Sequence, residues 1–341
     1  MTLAYSVLGS GSRGNCTAVR VAARRMPAPG RSASEAVLRG PAAGSGGLFD
    51  LRPPPGAGAS DGPAGTGSPA PQRVILFDCG LGRRPTRDRL GRVGLSPAAV
   101  TDVVMTHLDG DHLDRGWASH LAACDSIVVH LHRRHLREAE RVGFRPRRLR
   151  VVEEGLAAID ESDDDAGTIT IEPVGLPHDE SGTTGWVIEA AGTRLGLATD
   201  LGRVPEALLA AFVDLDALLL ESNYDPTLQE RAPRPEFLRR RIMGGRGHLS
   251  NAECVAAIAA IARRSRLRAV TLLHLSRQCN DPSIVRSLVD AALPDLAPLV
   301  TIAHQHEPTP LRALSARPST HPGAGIVGAA AGAGPCSGRP G

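Results

Sequence analysis

Seven residues, THLDGDH from Thr106 to His112, bring His107, Asp109, Asp111 and His112 together just past an apolar run. Imidazoles and carboxylates in so short a span are the donor set of a divalent-cation site, suited to zinc and equally to manganese or iron. If the chain stays extended, alternation points residues 107, 109 and 111 one way, with His112 following where the chain turns. The alternative is a polar loop whose aspartate caps a helix starting near His112. Four later stretches offer further donors: PHDE with His178, ATD with Asp200, GHLSN with His248 and LLHLS with His274. Three of the four directly follow an apolar strand or its short loop, which would gather their side chains at one edge of the sheets. Each alone is compatible with a structural residue, but in this order they read as one site.

The elements that must position them alternate between strands and helices. Strands are expected at Leu3–Leu8, around Thr17–Val21, and in RVILFDCG, SIVVH, TITIEPV, DALLLES and RAVTLLHLS. GWVIEA and TRLGLATD read as a hairpin turning at Gly192. Ser96 is expected as an N-cap with Pro97 at the first helical position. Helical patterns cover Arg133–Arg141, VPEALLAAF, LSNAECVAAIAAIARR and DPSIVRSLVDAAL. This mixture predicts an α/β protein with two sheets. Ala23–Gln72 holds 10 Gly and 9 Pro in 50 residues, a composition that predicts a disordered insertion (23–72). The tail from 306 to 341 reads the same way. A single domain over residues 1–305, interrupted by that insertion, is the expected organisation.

Composition excludes several classes. All 39 basic residues are Arg, and the net charge is only +3, so no obligatory polyanion partner is indicated. No apolar stretch is long enough to span a membrane, and no signal-peptide pattern opens the chain, so a soluble cytoplasmic protein is expected. The six Cys include no CxxC pair, and reduced, mostly buried thiols are expected.

SGSRGNC, FDCGL, THLDGDH, PHD, ATDLG, LLLESNYD, GHLSN and LLHLS, in this order, resemble the metallo-β-lactamase-fold hydrolases, more closely their YycJ/WalJ-like branch. The resemblance implies an αββα four-layer sandwich with two divalent metal ions at one edge. By position it assigns His107, residue 109 and His178 to the first metal, Asp111, His112 and His274 to the second, and Asp200 as the bridge. It also implies an activated water, with Asp111 orienting or deprotonating it and His248 contacting the scissile phosphate or acting as general acid. The competing reading makes His248 a cap for the helix starting near Ser250. Arg13 in the SGSRGNC loop suits an anionic substrate.

The family pattern is HxHxDH, and Asp109 replaces its second His. A hard anionic oxygen ligand there favours manganese or iron over zinc. The resemblance implies a phosphodiesterase, with a nuclease acting on nucleic acid as the leading case. The alternatives are a hydrolase of a small phosphodiester, thioester or lactone, and a non-catalytic metal-binding protein of the same fold. Two Arg clusters, Arg133–Arg150 and RPEFLRRRIMGGRGH, could grip phosphates or be solvated faces.

Overall fold

The computed structural model describes residues 2–22, 72–160 and 168–316. The expected insertion lies outside these residues except for Gln72, which opens a strand. Fourteen strands among the described residues form two seven-stranded sheets. In chain order the first sheet receives β1 (Thr2–Gly9), β2 (Cys16–Ala22), β3 (Gln72–Phe77), β4 (Val100–Met105), β5 (Val128–His132) and β6 (Leu149–Val152). The second is built from β7 (Ala157–Asp160), β8 (Ile169–Leu176), β9 (Thr183–Ala190), β10 (Thr193–Ala198), β11 (Ala217–Glu221), β12 (Ala269–Leu273) and β13 (Val300–Ile302). The last strand, β14 (Arg312–Ser315), returns to the first sheet and pairs with β1.

Each sheet has an antiparallel half and a parallel half. In the first, β3 to β6 run parallel; in the second, β10 to β13 do. The parallel strands are covered on both faces, which is why ALLLE and AVTLL are apolar at nearly every position. Tyr5, Val19, Phe77, Ile171, Trp186 and Leu219 belong to one apolar cluster that fills the space between the sheets. On the outer face of the first sheet pack α1 (Arg83–Arg92), α2 (Arg115–Ala123) and α3 (Leu136–Val142), through Leu90, Trp117, Leu121 and Ala139. The second sheet is covered by α4 (Glu206–Ala211), α7 (Asn251–Ala262) and α8 (Pro282–Ala292). Two short helices, α5 (Pro226–Arg231) and α6 (Glu236–Arg241), form a satellite between β11 and α7. The layers are therefore α, β, β and α.

Several local expectations hold, and others need correcting. The hairpin turns where expected, with Ala191 at φ 57° and Gly192 at φ 65°, the left-handed pair that suits the twist of the flanking strands. Ser96 precedes only a short 3₁₀ turn, Pro97–Ala99, and its side chain caps nothing. The tail does not begin at residue 306. Thr309 donates its backbone N–H to Val7 and accepts from Val7 N through Oγ1, and β14 then covers the edge of β1. Backbone pairing at an otherwise open edge outweighs the Pro- and Gly-rich composition that follows. Residues 317–341 lie outside the described residues. Among those described, no helix is long and apolar enough to cross a membrane.

Candidate metal centre

The donors gather beyond the carboxyl ends of parallel strands from both sheets, the usual location for sites in α/β sheets. Asp78 follows β3 directly, Asp200 follows β10 after one intervening residue, and His274 follows β12 directly. All three are non-glycine residues with positive φ, 60°, 54° and 56°. Left-handed backbone at side-chain-bearing residues is costly and concentrates where function requires an exact aim.

The THLDGDH stretch does not stay extended. Both His112 N and Leu113 N donate to the carbonyl of Asp109, so the chain turns tightly there and 107, 109 and 111 do not form one row. The turn folds His107 back onto His112, their ring centroids 4.1 Å apart. It also separates the donors into two groups, His107 with Asp109 and His178, and Asp111 with His112 and His274. Asp200 lies within reach of His107 and His112. The helix that follows begins at Arg115 with Asp114 as its cap, so none of the four donors is spent on capping. His248 is not a cap either: Ser250 and Glu253 form a reciprocal capping box at the start of α7.

Hydrogen bonds fix which imidazole nitrogen faces inward. His178 Nδ1 donates to the carbonyl of Gly247 (2.8 Å), which can only accept, so Nε2 carries the lone pair. Thr106 Oγ1 donates to Asp78 Oδ2 and accepts from His107 Nδ1 (3.0 Å). His107 Nε2 is then a buried lone pair with no partner among the described residues. His112 Nδ1 donates to Asp78 (2.8 Å), and its Nε2 faces Asp200 Oδ2 at 3.0 Å. His274 Nδ1 lies 2.9 Å from Glu221 and 3.0 Å from Asp200, with Nε2 3.4 Å from Asp111. Lone pairs aimed at carboxylate oxygens require a positive charge between them, either a proton or a cation.

The electrostatics divide the imidazoles. Burial, and then neighbouring His112, push His107 well below its ordinary value. Burial also opposes a charge on His112 and His274, but Asp200 and the other carboxylates outweigh it and hold both well above theirs. Burial would raise Asp200, yet His274 and His112 hold it well below the usual carboxylate range. Asp109 differs: it is half exposed, and burial of its remainder raises its pKa. The donor chemistry fits divalent cations. Buried imidazoles alternate with carboxylates, the His107 Nε2 lone pair has no partner among the described residues, and supporting groups hold the outer nitrogens of His107, His112 and His178.

Three supporting residues were not singled out by sequence reading. Asp78 accepts from Thr106 N, Thr106 Oγ1 and His112 Nδ1. Glu221, fully buried at the end of β11, accepts from Leu201 N, His248 Nδ1 and His274 Nδ1. Asn15 lies 3.0 Å from His112 Nε2 through Nδ2, which also donates to Asp111 Oδ2 at 3.2 Å, while Asn15 Oδ1 accepts from Gly11 N. A signal existed: FDCG and LLLES each end an apolar strand on a carboxylate. The backbones here pack so closely that a Cβ at Gly80 would lie 1.7 Å from the carbonyl oxygen of Asp111.

Beside the centre opens a cavity of about 630 Å³, with Asp109, Asp111, His248 and His274 in its wall and Arg13, Arg234, Arg241 and Arg277 around it. His248 is held through Nδ1 by Glu221 at 2.8 Å, leaving Nε2 for whatever enters. The five described Cys are buried and free; burial pushes the Cys254 thiol up to about 12, which removes it as a nucleophile.

The family described as "Beta-lactamase superfamily domain" matches residues 73–274. The chain is 24% identical over 223 residues to exodeoxyribonuclease YycJ of Bacillus anthracis, covering 65% of this chain and 81% of that one. It is also 24% identical over 212 residues to exodeoxyribonuclease WalJ of Streptococcus pneumoniae, covering 61% and 76% respectively. Among solved structures it is similar to the metallo-β-lactamase fold protein YhfI from Bacillus subtilis. That likeness has a TM-score of 0.53 at 12% identity and covers 90% of this chain and 99% of that one, so it speaks to the fold.

Proposed function

Since the chain belongs to the β-lactamase superfamily, we propose that it is a metal-dependent phosphodiesterase acting on nucleic acid. The observation that carries this reading is the pair of adjoining His/Asp groups opening onto one arginine-lined cavity. His107, Asp109 and His178 would hold one divalent ion, Asp111, His112 and His274 the other, with Asp200 between them. When bound, such ions supply Lewis acidity and make hydroxide available at neutral pH.

The chain's own residues do the rest. Asp78 keeps the proton of His112 on Nδ1, and the Gly247 carbonyl does the same for His178, so both rings enter the site as donors of electron pairs. Asp111 accepts from Asn15 through Oδ2, which fixes its orientation beside the reacting phosphate. Burial opposes protonation of His248, but Glu221 reverses the balance and raises its pKa. With Nδ1 held by Glu221, Nε2 is the nitrogen that would give a proton to the leaving oxygen. Arg13, in the cavity wall, brings positive charge to the non-bridging phosphate oxygens. The names of the YycJ and WalJ relatives favour DNA as the polymer.

The test is hydrolysis of bis-p-nitrophenyl phosphate and of oligonucleotides by chelator-treated protein, with Mn²⁺ or Zn²⁺ restored. Metal-dependent cleavage of both is expected. Turnover of thioesters with both diesters untouched would overturn the reading.

A further inference from the structure

Resting on the phosphodiesterase reading, we propose that α6 and the loop after His274 form a binding arm for single-stranded nucleic acid. In this arm Phe237 stacks on a base, and Arg234 and Arg277 hold the flanking phosphates. The chain is poor in aromatics, 3% of its residues, and most large apolar side chains are used in the three main cores. Phe237 is among the few exceptions. It is 73% exposed and is the one aromatic among the exposed large apolar side chains of the described residues.

Its helix explains the exposure. The helix α6 is anchored through Leu238, and the turn after it through Ile242 and Met243, to a small cluster with Tyr224, Ala232 and Cys279. Phe237 is not in that cluster, so its ring has no packing role there. Leu238 and Arg241, on the same short helix, reach the cavity wall, as does Arg234 just before it. Phe237 and Arg241 are four apart in α6 and therefore neighbours on its surface, with the Arg241 guanidinium held by Asp179. Arg234 is steadied by the neutral amide of Gln278 (2.9 Å), and so keeps its full charge for a ligand. Arg277 is the exposed neighbour of Gln278 and lines the same cavity. An aromatic face beside guanidinium groups is how proteins hold single strands: the ring takes a base of any sequence, and the cations follow the backbone.

The other flank of the centre does not offer this. A second cavity of about 510 Å³ shares Asp109, His178, Asp179 and Arg241 with the first; beyond these it adds Glu138 and Glu180 beside Arg141 and Arg246, where the first adds Arg13, Arg234 and Arg277 beside the donors Asp111 and Asp200. Carboxylates there oppose a phosphate backbone. The polymer therefore leaves the centre over α6.

The experiment compares wild type, Phe237→Ala, and the double variant Arg234→Ala/Arg277→Ala. Substrates are an oligothymidylate, an abasic oligonucleotide of equal length, and bis-p-nitrophenyl phosphate. In Phe237→Ala, kcat/KM for the oligothymidylate relative to the small diester is expected to fall about tenfold, with KM carrying the change. The abasic strand is expected to show less than about twofold loss, because it offers no base to stack. The double variant is expected to weaken both strands and to reduce the slope of log affinity against log salt by about 0.7 per arginine removed. Turnover of the small diester reports that each variant is folded. Equal oligothymidylate and abasic losses in Phe237→Ala, or none in either, would overturn the arm alone. Failure of the wild type to cut any phosphodiester would instead overturn the reading of the site on which the arm rests.

Discussion

The two halves of the candidate centre use the same residue types but are built differently. The half formed by Asp111, His112 and His274 is enclosed, and buried carboxylates brace its imidazoles: Asp78 on His112 and Glu221 on His274. The half formed by His107, Asp109 and His178 is braced by neutral groups, the Thr106 and Thr183 hydroxyls and the Gly247 carbonyl. Its third donor, Asp109, stands half in solvent, 3.8 Å from His107 Nε2. A carboxylate behind an imidazole raises its basicity and fixes its aim; a hydroxyl fixes the aim alone. The contrast implies a tight second half, a looser first half, and Asp200 as the residue on which both depend.

Substitutions can break that contrast in order of expected size. Removing Asp200, whose carboxylate lies between the halves, is expected to empty both and lower diester hydrolysis by about three orders of magnitude. Metal content and rate of Asp200→Ala check this, and a variant keeping both ions would refute the shared role. Next, Asp78→Ala and Glu221→Ala are expected to weaken binding in the second half by about 10- to 100-fold while leaving the first half's affinity near wild type. Titration with a chromophoric chelator reads the two affinities separately. Asp109→Ala is expected to lose about tenfold in the first half only, whereas Asp109→His should shift the preference from manganese towards zinc. Identical metal selectivity in wild type and Asp109→His would count against Asp109 as a ligand.

The smallest expected effect concerns the scaffold behind the first half. His135 donates or accepts at Nε2 with Thr184 (3.0 Å). Burial, then Arg134 and His132, push its imidazole down to about 3. The folded chain therefore keeps this ring neutral where the unfolded chain protonates it. The stability it permits is present above an ordinary imidazole pKa of about 6.5 and is lost as pH falls from there towards 3. His135→Gln should flatten the fall in Tm between pH 7 and pH 5. Parallel Tm curves for the two proteins would show that His135 does not carry this dependence.

Much of this arrangement could be read in the sequence, for physical reasons that also explain what could not. His178, Asp200 and His274 sit after apolar runs, and strands that run parallel put their carboxyl ends at one edge, so order along the chain converted to proximity. Asp78 and Glu221 end strands just as these donors do, but their role is to hold another residue's nitrogen, and a sequence does not show which strand ends face each other. The turn at Asp109–His112 is set by backbone bonds to one carbonyl, which alternation of side-chain type does not encode. The strand β14 was hidden by composition, because four pairing residues stand in front of a Gly- and Ala-rich tail.

The two Arg clusters make the same point. Their compositions are alike, yet Arg133, Arg141 and Arg147 pair with Glu153, Glu138 and Asp125, and Arg134 is spent on the Thr183 carbonyl. In the other cluster Arg240 and Arg241 also pair, with Glu236 and Asp179, but Arg234 lines the cavity with only the neutral Gln278 amide beside it.

The asymmetry of the centre is tested most directly by elemental analysis of the protein during stepwise dialysis against a chelator, with Asp109→Ala run in parallel. Two equivalents of metal should leave the wild type in two separate steps, and Asp109→Ala should retain one equivalent that matches the later step. Release of both ions in a single step, or two equivalents held by Asp109→Ala as tightly as by the wild type, would contradict it.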